Sequence, residues 1–253
     1  MVDQLRAHVD GALFFSPLNM ATVQHPSSFK NYNTLYYLVF LLLPLFSFGQ
    51  KNELLETESG NTQWNHFLAS DTTFQLNEDP NALLIETIKQ LTPGKALDLG
   101  MGLGRNSIFL AMNGWDVTGI DIRDDALTSG LAEASKNKLN IPTFETPMKS
   151  YDLGINEWDL IVHVYKGCLT DSRISRISNA LKPGGILVFE FFHRDAGIEM
   201  KRQAFGCETN SIKRTIEQTG AFNVLRYTEE VGIADYGLRD YKLVKLVATK
   251  KWN

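Results

Sequence analysis

The stretch Lys95-Ala96-Leu97-Asp98-Leu99-Gly100-Met101-Gly102-Leu103-Gly104-Arg105-Asn106 decides the fold. A short apolar run, long enough for a strand, ends in an acid. Three alternating glycines follow, and a helical pattern begins at Asn106. About twenty residues beyond the first glycine, Val117-Thr118-Gly119-Ile120-Asp121 ends a second apolar run in another acid. Strand, glycine turn, helix, strand and acid together describe a nucleotide pocket at the carboxyl edge of a parallel sheet. The glycines let the backbone approach the ligand, and Asp121 offers two acceptor oxygens to the ribose hydroxyls.

The spacing separates two cofactors. A dinucleotide pocket requires G-x-G-x-x-G, with a helix N-terminus facing a pyrophosphate. Here the glycines are spaced G-x-G-x-G, and Asp98 stands two residues before the first of them. A carboxylate there repels a pyrophosphate and attracts a cation. S-adenosylmethionine (SAM) carries an ammonium and a sulfonium and no phosphate. The turn therefore fits SAM, and an NAD-linked oxidoreductase is disfavoured.

Further motifs stand in order downstream: Gly114-Trp115-Asp116-Val117-Thr118-Gly119-Ile120-Asp121, Trp158-Asp159-Leu160-Ile161-Val162, and Leu181-Lys182-Pro183-Gly184-Gly185-Ile186-Leu187-Val188. On these residues the chain, from about Trp64 to its C-terminus, resembles the class I SAM-dependent methyltransferases. Gly104-Arg105-Asn106-Ser107 followed by Leu110-Ala111 is similar to the TehB-like, small-molecule branch. The resemblance implies a single Rossmann-like, doubly wound α/β domain. Its sheet has seven strands, mostly parallel, with the last one antiparallel. It also implies methyl transfer from SAM to a small-molecule acceptor, with a sulfur, selenium or tellurium nucleophile suggested by the branch. A SAM-binding domain without catalysis, a sensor or pseudoenzyme, is the alternative.

The 253 residues, with a net charge of −4 and 43% hydrophobic content, suit one domain plus an extension. The acidic balance argues against a nucleic-acid partner, which calls for a basic surface. The organisation expected is an N-terminal extension over 1–49, a polar linker over 50–60 and the SAM-dependent domain over 61–253. Within the extension, the apolar run 35–48 is shorter than the roughly 20 residues of a membrane span and has the length of a signal-peptide core. Lys30 precedes it, and Ser47-Phe48-Gly49 supplies a cleavage site that leaves Gln50 first. Export or membrane attachment through 35–48 is therefore expected, or a cytoplasmic protein if the start is misassigned, with Met20 as an alternative. SAM is made in the cytosol, which sets the export signal against the cofactor. Cys168 and Cys207 make no framework, and the sequence leaves their pairing open. No spacing of His and Cys suggests a metal, and oligomeric state is not legible.

Asp79 and Pro80 are expected to open a helix running to Gln90. The nearly all-apolar runs 159–164 and 186–192 read as buried parallel strands. The runs 222–228 and 241–249 read as an antiparallel pair, because their connection is too short for a crossover helix.

The expected cofactor contacts are Asp98, Gly100, Gly102, Gly104 and Asn106 around the methionine part and Asp121 on the ribose, and the resemblance implies Ile122 on the adenine face. The slot near the adenine amino group falls at Pro147 or Met148, where the resemblance would place an acid. Neither side chain accepts that hydrogen bond, so Met148 is expected there with backbone acceptors. Acceptor contacts belong at the open ends of the fourth and fifth strands, which selects His163, Tyr165, His193 and Arg194. His163 is the candidate base, its ordinary pKa lying near neutrality. Tyr236 and Arg239 are placed over the site by their loop, Arg105 is left open between site and surface, and the resemblance implies that the segment of Trp64, Phe67 and Phe74 forms a lid.

Overall fold

The computed structural model describes residues 75–202 and 204–252. The expected extension, the apolar run 35–48, the linker and the lid residues Trp64, Phe67 and Phe74 lie outside the described residues.

Chain order is α1 (Ala82–Ile88), β1 (Lys95–Leu99), α2 (Arg105–Met112), β2 (Asp116–Asp121), α3 (Asp124–Lys136), β3 (Thr143–Glu145), β4 (Trp158–Val164), α4 (Asp171–Ala180), β5 (Leu181–Phe192), α5 (Arg194–Glu199), α6 (Ser211–Thr219), β6 (Phe222–Ile233) and β7 (Asp240–Lys250). The seven strands form one sheet in the order β3-β2-β1-β4-β5-β7-β6. The first five are parallel, and β7 runs antiparallel to both of its neighbours. This is the Rossmann-like sheet expected, with its strand order reversing between β1 and β4. Ligands of such sheets sit outside the carboxyl ends of the strands at that reversal.

Local chemistry explains the elements and a few departures. Helix α1 opens at Ala82 rather than near Asp79, because the Asn81 side chain accepts the Leu84 N–H (3.2 Å) and so caps it. Asp124 and Asp125 lie in the first turn of α3, where their charge complements the helix dipole. Strand β5 starts earlier than its apolar run: Leu181 pairs with Trp158 before a register shift carries the chain to Ile186 opposite Leu160. The stretch after β5 is not loop but the short helix α5, capped by His193.

The core is the sheet sealed on both faces. Leu97, Leu99, Leu160, Ile161, Leu187 and Phe189 are fully buried at its centre. Each such side chain contributes about 1.5–3 kcal/mol on leaving water. Gly119 in β2 is one position where only glycine fits, since a Cβ there would collide with the Met101 sulfur behind the glycine turn.

Cys168, in the loop after β4, forms a disulfide with Cys207, which precedes α6. The Cys207 N–H donates to the Phe192 carbonyl (2.9 Å), and the Arg194 N–H donates to the Cys207 carbonyl (2.8 Å). The cross-link therefore ties the exit of β4 to the exit of β5. It closes a loop of 39 residues. Replacing both cysteines (Cys168→Ser with Cys207→Ser) should lower unfolding free energy by roughly 2–4 kcal/mol in a denaturant titration. Equal stability of the pair of chains would show that the bond does not constrain the unfolded state.

Candidate functional site

A cleft of about 230 Å³ opens at the carboxyl edge of the sheet, where the strand order reverses. Its floor is the turn Gly100–Leu103. One wall is Asp121, Ile122 and Arg123 after β2, and the other is Val164, Tyr165 and Lys166 after β4. Leu76, Asn77, Arg105, Asp235 and Tyr236 close its mouth.

The turn exists because its glycines do. Gly100, Gly102 and Gly104 have φ of +84°, +56° and +83°, a region that L side chains enter only at a cost. Asp121 stands beside the turn with its carboxylate pre-set: the Gly102 N–H donates to Oδ2 (3.0 Å) and the Arg123 N–H to Oδ1 (3.0 Å). Each oxygen keeps further acceptor capacity toward the cleft. Asp98 lies behind the turn, 2% exposed, and accepts the Ser107 hydroxyl (2.7 Å). Burial raises its pKa to about 6 against the opposing Ser107 hydrogen bond.

At the mouth, a second carboxylate gathers distant parts of the chain. Asp235, between β6 and β7, accepts from Asn77 Nδ2 (3.0 Å), Asn81 Nδ2 (2.8 Å) and the Arg105 guanidinium (2.6 Å). Its own N–H donates to the Tyr165 hydroxyl (3.0 Å). Burial works against the Arg105 charge, but the Asp235 carboxylate beside it holds its pKa above the ordinary value. Burial also raises the carboxyl pKa of Glu190, which stands beside Tyr165, and the nearby Asp235 charge adds to the effect.

The residues expected from sequence divide into three groups. Gly100, Gly102, Asp121, Ile122 and Tyr165 line the cleft. Asp98, Gly104 and Asn106 support it from behind: Gly104 caps α2, and the Asn106 side chain accepts the Asn81 N–H (2.9 Å). Met148 is not among the lining residues. It packs on the core, and its carbonyl accepts from Arg176 (2.8 Å).

The third group corrects the expected acceptor contacts. His163 lies within β4, fully buried against Phe189, and neither ring nitrogen has a hydrogen-bond partner among the described residues. Burial, with the Arg173 charge, lowers its pKa to about 3, so it is sealed away and neutral. His193 is also buried; its Nδ1 accepts the Asp195 N–H (3.0 Å) and its Nε2 faces the Thr209 hydroxyl (3.0 Å). Arg194 pairs with Glu208. Neither residue reaches the cleft wall. Tyr165 does, but burial holds its hydroxyl pKa well above the ordinary range, so it keeps its proton.

Sequence reasoning missed Asp235 and Lys166, and it left Arg105 undecided. An acid in a hairpin loop and a lysine after a strand carry no motif. Of the residues placed there by loop position alone, Tyr236 lines the cleft.

These residues fit a nucleoside that carries a cationic amino-acid chain. Asp121 presents acceptors suited to two adjacent hydroxyls. The space around Gly102 is open, with nothing within 4 Å of where a Cβ would sit. Buried Asp98 supplies negative charge behind the turn, which disfavours a phosphate and favours an ammonium or sulfonium.

Comparison with known proteins agrees with the geometry. Among curated relatives, the ribosomal RNA small subunit methyltransferase C of Alcanivorax borkumensis is 31% identical over 121 residues, covering 44% of this chain and 37% of that protein. The probable S-adenosyl-L-methionine-dependent methyltransferase TehB of Haemophilus influenzae is 38% identical over 60 residues, covering 24% of this chain and 21% of that protein. The chain thus spans well under half the length of these relatives. Among solved structures, TehB from Haemophilus influenzae superposes with a TM-score of 0.58 at 24% identity, covering 68% of this chain and 62% of that one. A SAM-dependent methyltransferase from Methanosarcina mazei superposes with a TM-score of 0.57 at 18% identity, covering 69% of this chain and 100% of that one. At these identities the two structures speak for the fold alone. The profile of the family described as tellurite resistance protein TehB matches residues 73–235, well over half of the chain, and the chain belongs to that family.

Proposed function

We propose that this chain transfers a methyl group from SAM to a small-molecule nucleophile held at the mouth of the cleft. The observation that carries the reading is the Asp121 carboxylate, pre-set by two backbone N–H groups beside a left-handed glycine turn. Membership of the TehB family and the methyltransferase names of its relatives support it.

When bound, SAM supplies a methyl group already activated by a positive sulfur. The glycine turn and Asp121 would hold the donor, and methyl transfer to the acceptor's lone pair would leave the neutral thioether S-adenosylhomocysteine. The chain's part is to bind, align and exclude water, and alignment alone can supply up to about 7–11 kcal/mol. The rings of Tyr165 and Tyr236, 4.8 Å apart between centroids, wall the mouth. No neutral, accessible histidine faces it among the described residues, which favours a soft nucleophile that needs no base. Binding without turnover is the second reading, favoured by the absence of an acidic adenine contact at Pro147 or Met148.

We also propose that the chain is exported or membrane-attached through 35–48. The Cys168–Cys207 disulfide supports this, because such bonds persist in oxidising compartments. Among the described residues no helix is long and apolar enough to cross a membrane.

Replacing Asp121 with alanine should weaken S-adenosylhomocysteine binding at least about tenfold by calorimetry, the loss of one or two charge-assisted hydrogen bonds; unchanged affinity would remove the ribose assignment. Affinity should also fall as pH drops through about 6, where Asp98 takes up its proton and stops attracting the ligand's ammonium. Folding stability runs the other way. The pKa of Asp98 is higher folded than unfolded, so its contribution to stability is full at low pH and fades as pH rises through about 6. Asp98→Asn should flatten both profiles, and a binding profile indifferent to that change would exclude Asp98 as the source of the attraction. Finally, N-terminal sequencing of the chain recovered from an expressing bacterium should read from Gln50; an intact N-terminus in the cytosolic fraction would overturn export.

A further inference from the structure

The Cys168–Cys207 disulfide is a reactive group that methyl transfer leaves unused, and it stands at the edge of the cleft. Tyr165 and Lys166, which line the cleft, lie three and two residues before Cys168. The two ends of the bond are held differently. Cys207 is seated by backbone: its N–H donates to the Phe192 carbonyl, and its carbonyl accepts from the Arg194 N–H. Gly206 before it packs so closely on His193 that a Cβ there would stand 2.3 Å from the His193 carbonyl oxygen. Cys168 instead belongs to a turn that leaves the sheet after Val164, with Tyr165 at φ +55° and Gly167 at φ +95°. The Cys168 carbonyl accepts from Arg173 (2.8 Å), and the covalent bond to Cys207 fixes this turn to the exit of β5.

We propose that this disulfide is a redox switch of the cleft: the oxidised chain holds the wall Val164–Lys166 in its binding arrangement, and reduction releases it. The inference rests on the SAM reading above, because it concerns the affinity of that same cleft. The reductant is a dithiol. One of its thiolates attacks the sulfur of Cys168, which is half-buried, whereas Cys207 is 1% exposed. The S–S bond breaks, and Cys207 leaves with the bonding pair as a thiolate. The second thiolate of the reductant then attacks its own sulfur in the mixed disulfide and displaces Cys168. Two electrons pass to the chain, both cysteines take up the protons the reductant lost, and the reductant is left as a cyclic disulfide.

Reduction reaches the cleft through the backbone of the turn. A tyrosine in the left-handed region persists only where its surroundings over-determine it. Tyr165 is fixed on one side by its N–H on the Glu190 carbonyl (2.8 Å) and by the Asp235 N–H on its hydroxyl (3.0 Å). On the other side the covalent anchor is Cys168. Once that anchor is cut, Lys166–Cys168 gains alternative conformations. Lys166, whose Cδ lies 2.5 Å from where a Cβ on Gly100 would stand, then no longer keeps one place along the glycine turn. A ligand that needs the single arrangement binds in proportion to the fraction of chains that hold it, which lowers affinity by about fivefold or more. The relation is reciprocal: a ligand that prefers the oxidised chain makes the disulfide harder to reduce by the same factor. The compartment's redox state thereby sets the affinity of the cleft and not only the stability of the fold.

The test is calorimetric titration of S-adenosylhomocysteine into the full chain, oxidised and after reduction by dithiothreitol, with the state of the thiols read by alkylation. The double variant Cys168→Ser with Cys207→Ser is titrated in both buffers, and every sample is checked for folding by circular dichroism. The oxidised chain should bind about fivefold or more tightly than the reduced one. The double variant should match the reduced chain and ignore the reductant. Should that variant not fold, the native chain answers alone: in buffers of reduced and oxidised dithiothreitol, saturating S-adenosylhomocysteine should lower the disulfide's reduction potential by about 20 mV, the same fivefold converted. Equal affinity in the two states, tighter binding on reduction, or a potential unmoved by the ligand overturns the switch while leaving the SAM reading in place. Failure of the folded, oxidised chain to bind the ligand at all overturns the SAM reading and the switch with it.

Discussion

The Arg105–Asp235 ion pair is the interaction on which the mouth of the cleft depends. It joins residues 130 positions apart, with side chains 15% and 8% exposed. Through its oxygens and its own N–H, Asp235 also fixes Asn77, Asn81 and Tyr165. One residue thus holds the approach to α1, the cap of α1, the start of α2 and the exit of β4 in a single arrangement. A buried pair of this kind adds little net stability over apolar packing, whereas removing one partner costs about 3–5 kcal/mol. Its value lies in position: the β6–β7 loop is held over the glycine turn rather than projecting from the antiparallel end of the sheet.

Around that pair the charges are arranged for a particular ligand. Asp98, Asp121 and Asp235 bring three carboxylates to the carboxyl ends of the strands and their loops, of which Asp235 is paired with Arg105 and Asp121 stands 4.0 Å from the Lys166 ammonium. Asp98, whose partner is the neutral Ser107 hydroxyl, is the charge that a phosphate at the turn would meet. A cationic amino-acid chain meets attraction instead, and Asp98 acts without touching solvent because low local polarity preserves its field. The acid that argues for SAM in the sequence does so in the structure as a buried charge behind the turn, not as a group lining it.

The parts legible in the sequence are those where backbone chemistry leaves one solution. Three left-handed residues in five require the glycines of the turn, and a carboxylate ending the next strand must lie beside them in a parallel sheet. The antiparallel pairing of β6 with β7 follows from a connection too short for a crossover helix, whereas the seven-stranded sheet rested on the resemblance. The misreading of His163 has a physical reason: β4 is covered on both faces, so alternation does not mark which residue faces a ligand. His163 sits opposite Phe189 within the sheet, and the chain first reaches the cleft at Val164. Asp235 and Lys166 were not legible because their roles depend on where a hairpin loop folds back and where one long side chain points. Neither leaves a periodic signal.

The exit of β4 shows how the fold turns a buried strand into a working edge. Tyr165 has φ +55°, a conformation that costs a non-glycine residue energy, and Gly167 follows at +95°. Two left-handed residues so close together swing the chain off the sheet and send neighbouring side chains to different places. The Tyr165 ring packs edge-on against Phe192, 5.2 Å away between centroids, while Lys166 runs over the glycine turn. Both ends of the segment are fastened, at Tyr165 by the Asp235 N–H and at Cys168 by its disulfide. The strain at Tyr165 is therefore held by contacts on either side. Lys166 is thus presented to the cleft from a braced backbone, and its flexible four-carbon stem carries the ammonium to within 4.0 Å of Asp121 Oδ2.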